Sequence, residues 1–249
     1  GPAAAACGGV HTVTGTILNI AAVLLGGLLG LALGRRFSER ATATIIAGMG
    51  LFTAAIGVRM FLETQNPLFP LGGIVLGGLL GEALRIEEAL AGLGARLEAR
   101  FNRGRPEDSA TFVRGFLAAS LLFCVGPMTI LGSIQDGLTG DYHLLAIKSV
   151  LDGFAALALA STLGVGVLFS VLVILVYQGG LTLFAAQAQA FLTDSMTTEM
   201  TAVGGVILIG LAVGTMLELR RIRTGNLLPA LFVSPALVAL AGWIAATFG

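Results

Sequence analysis

Lys148 and Asp152 stand four positions apart in the otherwise apolar run IKSVLDGFAALALASTL. On a helix that spacing puts an ammonium and a carboxylate on one face, within reach of each other. Counted from Asp141 at about 1.5 Å per residue, Asp152 lies roughly 16 Å into a hydrocarbon layer about 30 Å thick. A charge at that depth costs roughly 2.5 to 17 kcal/mol, so the carboxylate must meet a cation, a proton, water or a packed polar partner. A second polar group, Tyr177-Gln178-Gly179-Gly180, interrupts the next apolar run. If the chain turns back at Gly164-Val165-Gly166, Asp152 and Gln178 are equally far from the turn and share a depth on adjacent antiparallel helices. Gly179 and Gly180 are expected to unwind their helix there, which membranes tolerate only beside protein or a wet cavity. A broken helix opposite a buried acid is a plan for ion and substrate sites in secondary transporters.

A third element approaches the same level. Gly126-Pro127 removes a backbone donor and is expected to kink a helix just past the midplane, with Thr129, Ser133, Gln135 and Asp136 continuing outward. Gln135, Asp136 and Asp141 are expected in the loop that follows, with Asp141 as N-cap of the next span. Together these residues describe a polar funnel with a rim of Gln135, Asp136 and Asp141, a floor of Lys148, Asp152 and Gln178, and Tyr177 as a further ligand. Asn19 lies near the outer end of the first apolar run and either bonds a neighbouring helix or touches the cavity. The same set also fits a structural network that only fixes helix register. His11 and His143 are the only histidines, and no metal-ligand cluster, catalytic triad or nucleophile elbow surrounds them. An enzyme, a metal centre and a cofactor are therefore not expected.

These residues need elements that cross a membrane. Hydrophobic residues make up 56% of the 249, charged residues only 11%, and mean hydropathy is +0.94, which excludes an ordinary soluble domain. The expected fold is an all-α polytopic membrane protein of about eight spans. They are 15–34, 42–62, 68–86, 110–131, 141–163, 167–191, 201–219 and 227–248. Residues 1–14 read as a tag remnant or flexible start, 15–86 as spans 1 to 3, 87–109 as an amphipathic linker on the cytoplasmic membrane surface, and 110–249 as the part carrying the site. In the linker, Ile86, Leu90, Leu93, Leu97 and Phe101 recur at helical spacing on one face. Stripes at Gly26/Gly30/Gly34 and Gly73/Gly77/Gly81, echoed at Gly210 and Gly214, suggest related hairpins and flat faces for close helix packing, within a protomer or in a homo-oligomer. Arg59, Glu82 and Glu218, near span ends, read as side chains reaching the interface.

Arginines cluster after spans 1, 3 and 7, which places those connections in the cytoplasm and both termini outside. Balanced charge and the lack of a basic tail exclude a nucleic-acid partner; the bilayer and a small ion or polar solute are the expected partners. Two cysteines, Cys7 and Cys124, set no disulfide framework.

The stretches CVGPMTILGSIQDGLTGD, IKSVLDGFAALALASTLGVGV and VYQGGLTL, with the GTILN start, the GGLLG stripe and the late NLLPAL segment, resemble the YqgA/YdfK-like family of bacterial inner-membrane proteins. The resemblance covers nearly the whole chain. It implies a bacterial multispanning protein of the kind usually called a transporter, and carries over no activity.

Overall fold

A computed structural model describes residues 13–34, 38–101, 109–125, 127–185, 187, 192–220 and 222–248. Cys7, His11, Arg35, Arg36, Arg103, Arg105, Asp108, Gly126 and Arg221 lie outside these. The described chain forms α1 (Thr14–Gly34), α2 (Glu39–Phe61), α3 (Leu68–Leu84), α4 (Ile86–Phe101), α5 (Ser109–Cys124), α6 (Pro127–Thr139), α7 (His143–Leu163), α8 (Ser170–Leu183), α9 (Asp194–Leu211) and α10 (Ala230–Phe248). A 3-10 segment, Gly164–Phe169, joins α7 to α8, and a π-helical turn, Ala212–Met216, ends α9. No strand occurs among the described residues.

Local chemistry sets the ends. The hydroxyls of Ser38 and Thr193 accept the backbone N–H of Ala41 and Met196, each at 3.3 Å, capping α2 and α9. Pro127 opens α6, where its missing donor costs nothing. Arg85 adopts a left-handed conformation (φ 53°) at the elbow between α3 and α4, which are bent by 51°. Gly164 (φ 76°) closes α7.

The surface is inverted relative to a soluble protein. Leu25, Phe52, Phe154, Val176 and Phe232 are exposed, whereas Asn19, Ser133, Asp136, Lys148, Asp152, Gln178 and Glu199 are buried. Such a partition suits a solvent of lipid tails, and the molecule is an all-α polytopic membrane protein. Five stretches are long and apolar enough to cross, or seven if each bent pair, α3/α4 and α5/α6, counts as one. One of them, His143–Leu183, has 41 residues, about twice what a bilayer needs, and it folds back at the 3-10 segment.

The helices sort into two bundles whose membership crosses the linear order. α1 lies against α7 and α8, and α5 and α6 pack on the same two helices; α2, α3 and α10 surround α9. α9 is the most enclosed, with Ala202, Val203, Ile207 and Leu211 fully buried. The glycine stripes pack within the protomer. Added side-chain carbons at Gly26, Gly30 and Gly34 would collide with the carbonyls of Gly153, Leu157 and Ser161, so α1 runs parallel to α7 at backbone contact. Gly73, Gly77 and Gly81 meet Ser234, Ala230 and Asn226 in the opposite direction. Both stripes do the same work on different partners.

Three expectations need correction. Gln135 and Asp136 are not in a loop: the fourth span breaks after Cys124, bends by 61°, and continues as α6 to Thr139. The kink expected at Gly126-Pro127 is this bend, with Pro127 as the first residue of the second half. Gly179 and Gly180 do not unwind α8, which runs unbroken from Ser170 to Leu183 with Phe184 donating to the Gly180 carbonyl at 2.9 Å. Two glycines lower helix propensity but remove no donor, and the ladder survives. Asp141 is not the cap residue of α7; that position is Tyr142, while the Asp141 carboxylate accepts the His143 N–H at 3.0 Å.

Candidate functional site

Four helices deliver polar side chains to one buried cluster. Asn19 of α1 is its hub: its Nδ2 donates to Asp152 Oδ2 of α7 at 3.0 Å and to Gln178 Oε1 of α8 at 2.9 Å. An atom facing two acceptors must be the amide nitrogen, which fixes the orientation of the carboxamide. A residue in the second turn of α1 thus joins residues separated by the 3-10 turn, and the level shared by Asp152 and Gln178 follows directly. The arms α7 and α8 scarcely touch each other; α1 lies against both.

Lys148 pairs with Asp152 Oδ2 at the i, i+4 spacing, and both side chains are buried. The pair neutralises itself, which is what burial in a low-dielectric interior requires. From Asn19 the network continues outward: Gln178 Nε2 donates to Thr16 Oγ1 at 3.3 Å, Thr16 and Thr182 hydroxyls are 3.5 Å apart, and Thr182 Oγ1 donates to the Gln178 carbonyl at 3.0 Å. One turn nearer the start of α1, Asp136 Oδ2 accepts the Gly15 N–H at 3.0 Å. A carboxylate from α6 thereby satisfies an orphan donor at the positive end of α1.

Not every expected residue joins this set. Asp136 is fully buried rather than at a rim. Gln135 and Asp141 bond each other at 2.9 Å on the exposed surface. Tyr177 lines a separate apolar cavity of about 150 Å³ with Ser120, Cys124 and Phe232. The reason is geometric, since consecutive helical residues point about 100° apart and Gln178 already faces the cluster. A side-chain carbon added at Gly179 would lie 3.7 Å from the Thr16 methyl, and one added at Gly180 would meet nothing within 4 Å.

The model match spans residues 14–239 and carries the description protein of unknown function (DUF554). The chain belongs to the DUF554 family. All the cluster residues fall inside the matched range. The chain is 29% identical over 229 residues to the uncharacterized membrane protein YdfK of Bacillus subtilis (strain 168), covering 90% of this chain and 95% of that one. It is 32% identical over 236 residues to the uncharacterized protein YqgA of Escherichia coli (strain K12), covering 94% and 100%. No solved structure matches.

Several polar residues escaped the sequence reading. Thr16 and Thr182 are short hydroxyls of a kind that usually bond their own helix. Glu199, 1% exposed on α9, accepts from the Thr64 hydroxyl at 2.5 Å and from the Gln65 and Asn66 N–H groups at 2.9 and 3.2 Å. It clamps the loop between α2 and α3. At the opposite end of the molecule, Asn226 donates to Glu82 at 2.6 Å and accepts the Glu87 N–H at 2.7 Å, while Arg223 pairs with Glu82 and Arg114 with Glu218. Glu82 and Glu218 are thus ion-paired as well as near span ends. A cavity of about 980 Å³ opens there between α4, α5 and the π-turn, lined in part by Glu88, Arg114, Thr215 and Glu218.

Proposed function

We propose that the protein is a small secondary transporter or channel moving a small ion or polar solute through the cluster of α1, α6, α7 and α8. Asp152 is the ion or proton site, Lys148 its exchangeable partner, and Asn19 and Gln178 are ligands. The observation that supports this most is the Asn19 carboxamide, which ties an acid on one arm of the hairpin to an amide on the other. A step that separates α7 from α8 must break it, so occupancy of the site and the spacing of the arms are coupled. Breaks that would let helices shift lie at the α5/α6 bend, at Gly164–Phe169 and at Ala212–Met216.

The reading places the protein in the bacterial inner membrane, with the arginine-bearing connections cytoplasmic and the termini outside. It assigns no catalytic residue and no cofactor. A thermal-shift screen of ions and common metabolites, followed by proteoliposome flux of the hit, tests it. Asp152→Asn is expected to abolish flux while the protein still folds; unchanged flux would refute the assignment.

A second reading is favoured by one observation: neither cavity described above is lined by Asp152, Gln178 or Asn19. On that view the cluster only locks helix register in a structural or regulatory membrane protein, and glycine faces assemble homo-oligomers. Burying the stripes of α1 and α3 inside the protomer leaves less for such assembly.

A further inference from the structure

The unsatisfied atoms of the cluster bear on what it binds. Asn19 Oδ1, Ser133 Oγ and Asp136 Oδ1 are buried and accept or donate no hydrogen bond among the described residues. All three residues are fully buried. Asn19 Oδ1 belongs to the carboxamide that already touches Asp152 and Gln178, so among the described residues a buried oxygen acceptor at the centre of the cluster is left without a partner.

The charge is equally specific. At the Asn19 hub one carboxylate, Asp152, is balanced by one ammonium, Lys148, and the other groups bonded there, Thr16, Asn19, Gln178 and Thr182, are neutral; the second buried carboxylate, Asp136, is a turn of α1 away on the Gly15 N–H. An anion would find its only cation taken, the Asn19 amide protons engaged, and an uncovered oxygen facing it. A divalent ion at the Asn19 hub would find only Asp152 within its hydrogen-bonded set where such ions usually take several carboxylates, and no group of three His, Cys, Asp or Glu gathers among the described residues. A monovalent cation satisfies both constraints: by taking the place of the Lys148 ammonium it keeps the single Asp152 carboxylate balanced, and it takes carboxylate, amide and hydroxyl oxygens as ligands.

We infer that the cluster binds a monovalent metal cation through Asp152, Asn19 Oδ1 and the neighbouring Gln178 and Thr16 oxygens, in competition with the Lys148 ammonium. This rests on the transport reading for its purpose, but binding is measured without flux.

Purified protein in detergent, exchanged into choline chloride, is titrated with sodium or potassium chloride at constant ionic strength while its melting temperature is followed. A saturable rise with at least one of the two is expected in the wild type. Lys148→Met, which removes the competitor, should respond at about tenfold lower cation, and Asp152→Asn should not respond. If Asp152→Asn does not fold, Asn19→Leu serves instead, and its response should weaken by at least about tenfold. Absence of a response in both wild type and Lys148→Met, or an undiminished response in Asp152→Asn or Asn19→Leu, overturns the inference. A protein that binds the cation and moves nothing refutes transport alone, whereas one that moves another solute through Asp152 without any cation response refutes this inference alone.

Discussion

The Lys148–Asp152 pair sets the energetic scale at the level of residues. Removing one member of a buried pair strands the other and typically costs about 3–5 kcal/mol, whereas replacing both with apolar residues is often neutral. Lys148→Met is therefore expected to lower stability by roughly that amount in the absence of a compensating ion, and Lys148→Met with Asp152→Leu to recover most of it. Additive losses in a double-mutant cycle would show the two are not coupled. Asp136 is predicted to behave differently, because it holds the Gly15 N–H rather than a cation. Asp136→Asn keeps an acceptor and should change stability by less than about 1 kcal/mol, while Asp136→Leu should cost about 1–2 kcal/mol, as a lost cap does; equal losses in a denaturation series would contradict the capping role.

The sequence is legible at this scale where spacing and depth decide. Lys148 and Asp152 follow from i, i+4 geometry, and Gln178 from its mirror position across the turn. Tyr177 and Gln135 mislead because each adjoins a residue that does face the interior, and helical neighbours face different ways. Thr16, Thr182 and Glu199 are invisible because nothing local separates a hydroxyl or an end-of-helix acid that bonds its own helix from one that bonds a distant one.

Among the elements, α1 matters most. Its glycine face brings it into backbone contact with α7, and that closeness lets Asn19 reach two helices. Gly30→Ala would force a carbon into the Leu157 carbonyl and is expected to cost about 1–3 kcal/mol through overpacking. Gly180→Ala has nothing to strike, and by helix propensity alone it should be neutral or stabilising by up to about 1 kcal/mol. A loss of stability at Gly180 as large as at Gly30, read by thermal denaturation of both variants, would mean that α8 departs from a regular helix there. Helix identity was readable from hydropathy and turn residues, and the α5/α6 break from Gly126-Pro127. The π-turn at Ala212–Met216 was not, since no proline or charge marks it and tertiary packing alone selects it.

At the scale of the whole molecule, contacts between ends test the order of crossings. Asp136 meets Gly15 and Glu199 meets Thr64 at one end, while Arg223 meets Glu82 and Arg114 meets Glu218 at the other. Each pair joins ends that eight alternating passes put on the same side. In a background lacking Cys7 and Cys124, single cysteines at Glu63 and Thr139 should label with an impermeant maleimide from outside intact cells, and those at Arg40 and Arg220 only after permeabilisation. The reverse pattern would invert the orientation, and a mixed one would break the alternation. Which helices pair across the chain, α1 with α7 and α2 with α9, depends on shape complementarity between distant segments and was not readable from a single sequence.

The central claim is that the buried pair handles a solute rather than merely locking helices together. Uptake into proteoliposomes by Lys148→Met/Asp152→Leu, using the solute identified by thermal shift, tests it most directly because this variant removes the charges without stranding either. A monodisperse protein with near wild-type stability and no uptake above empty liposomes is the expected outcome. Uptake equal to the wild type would contradict it.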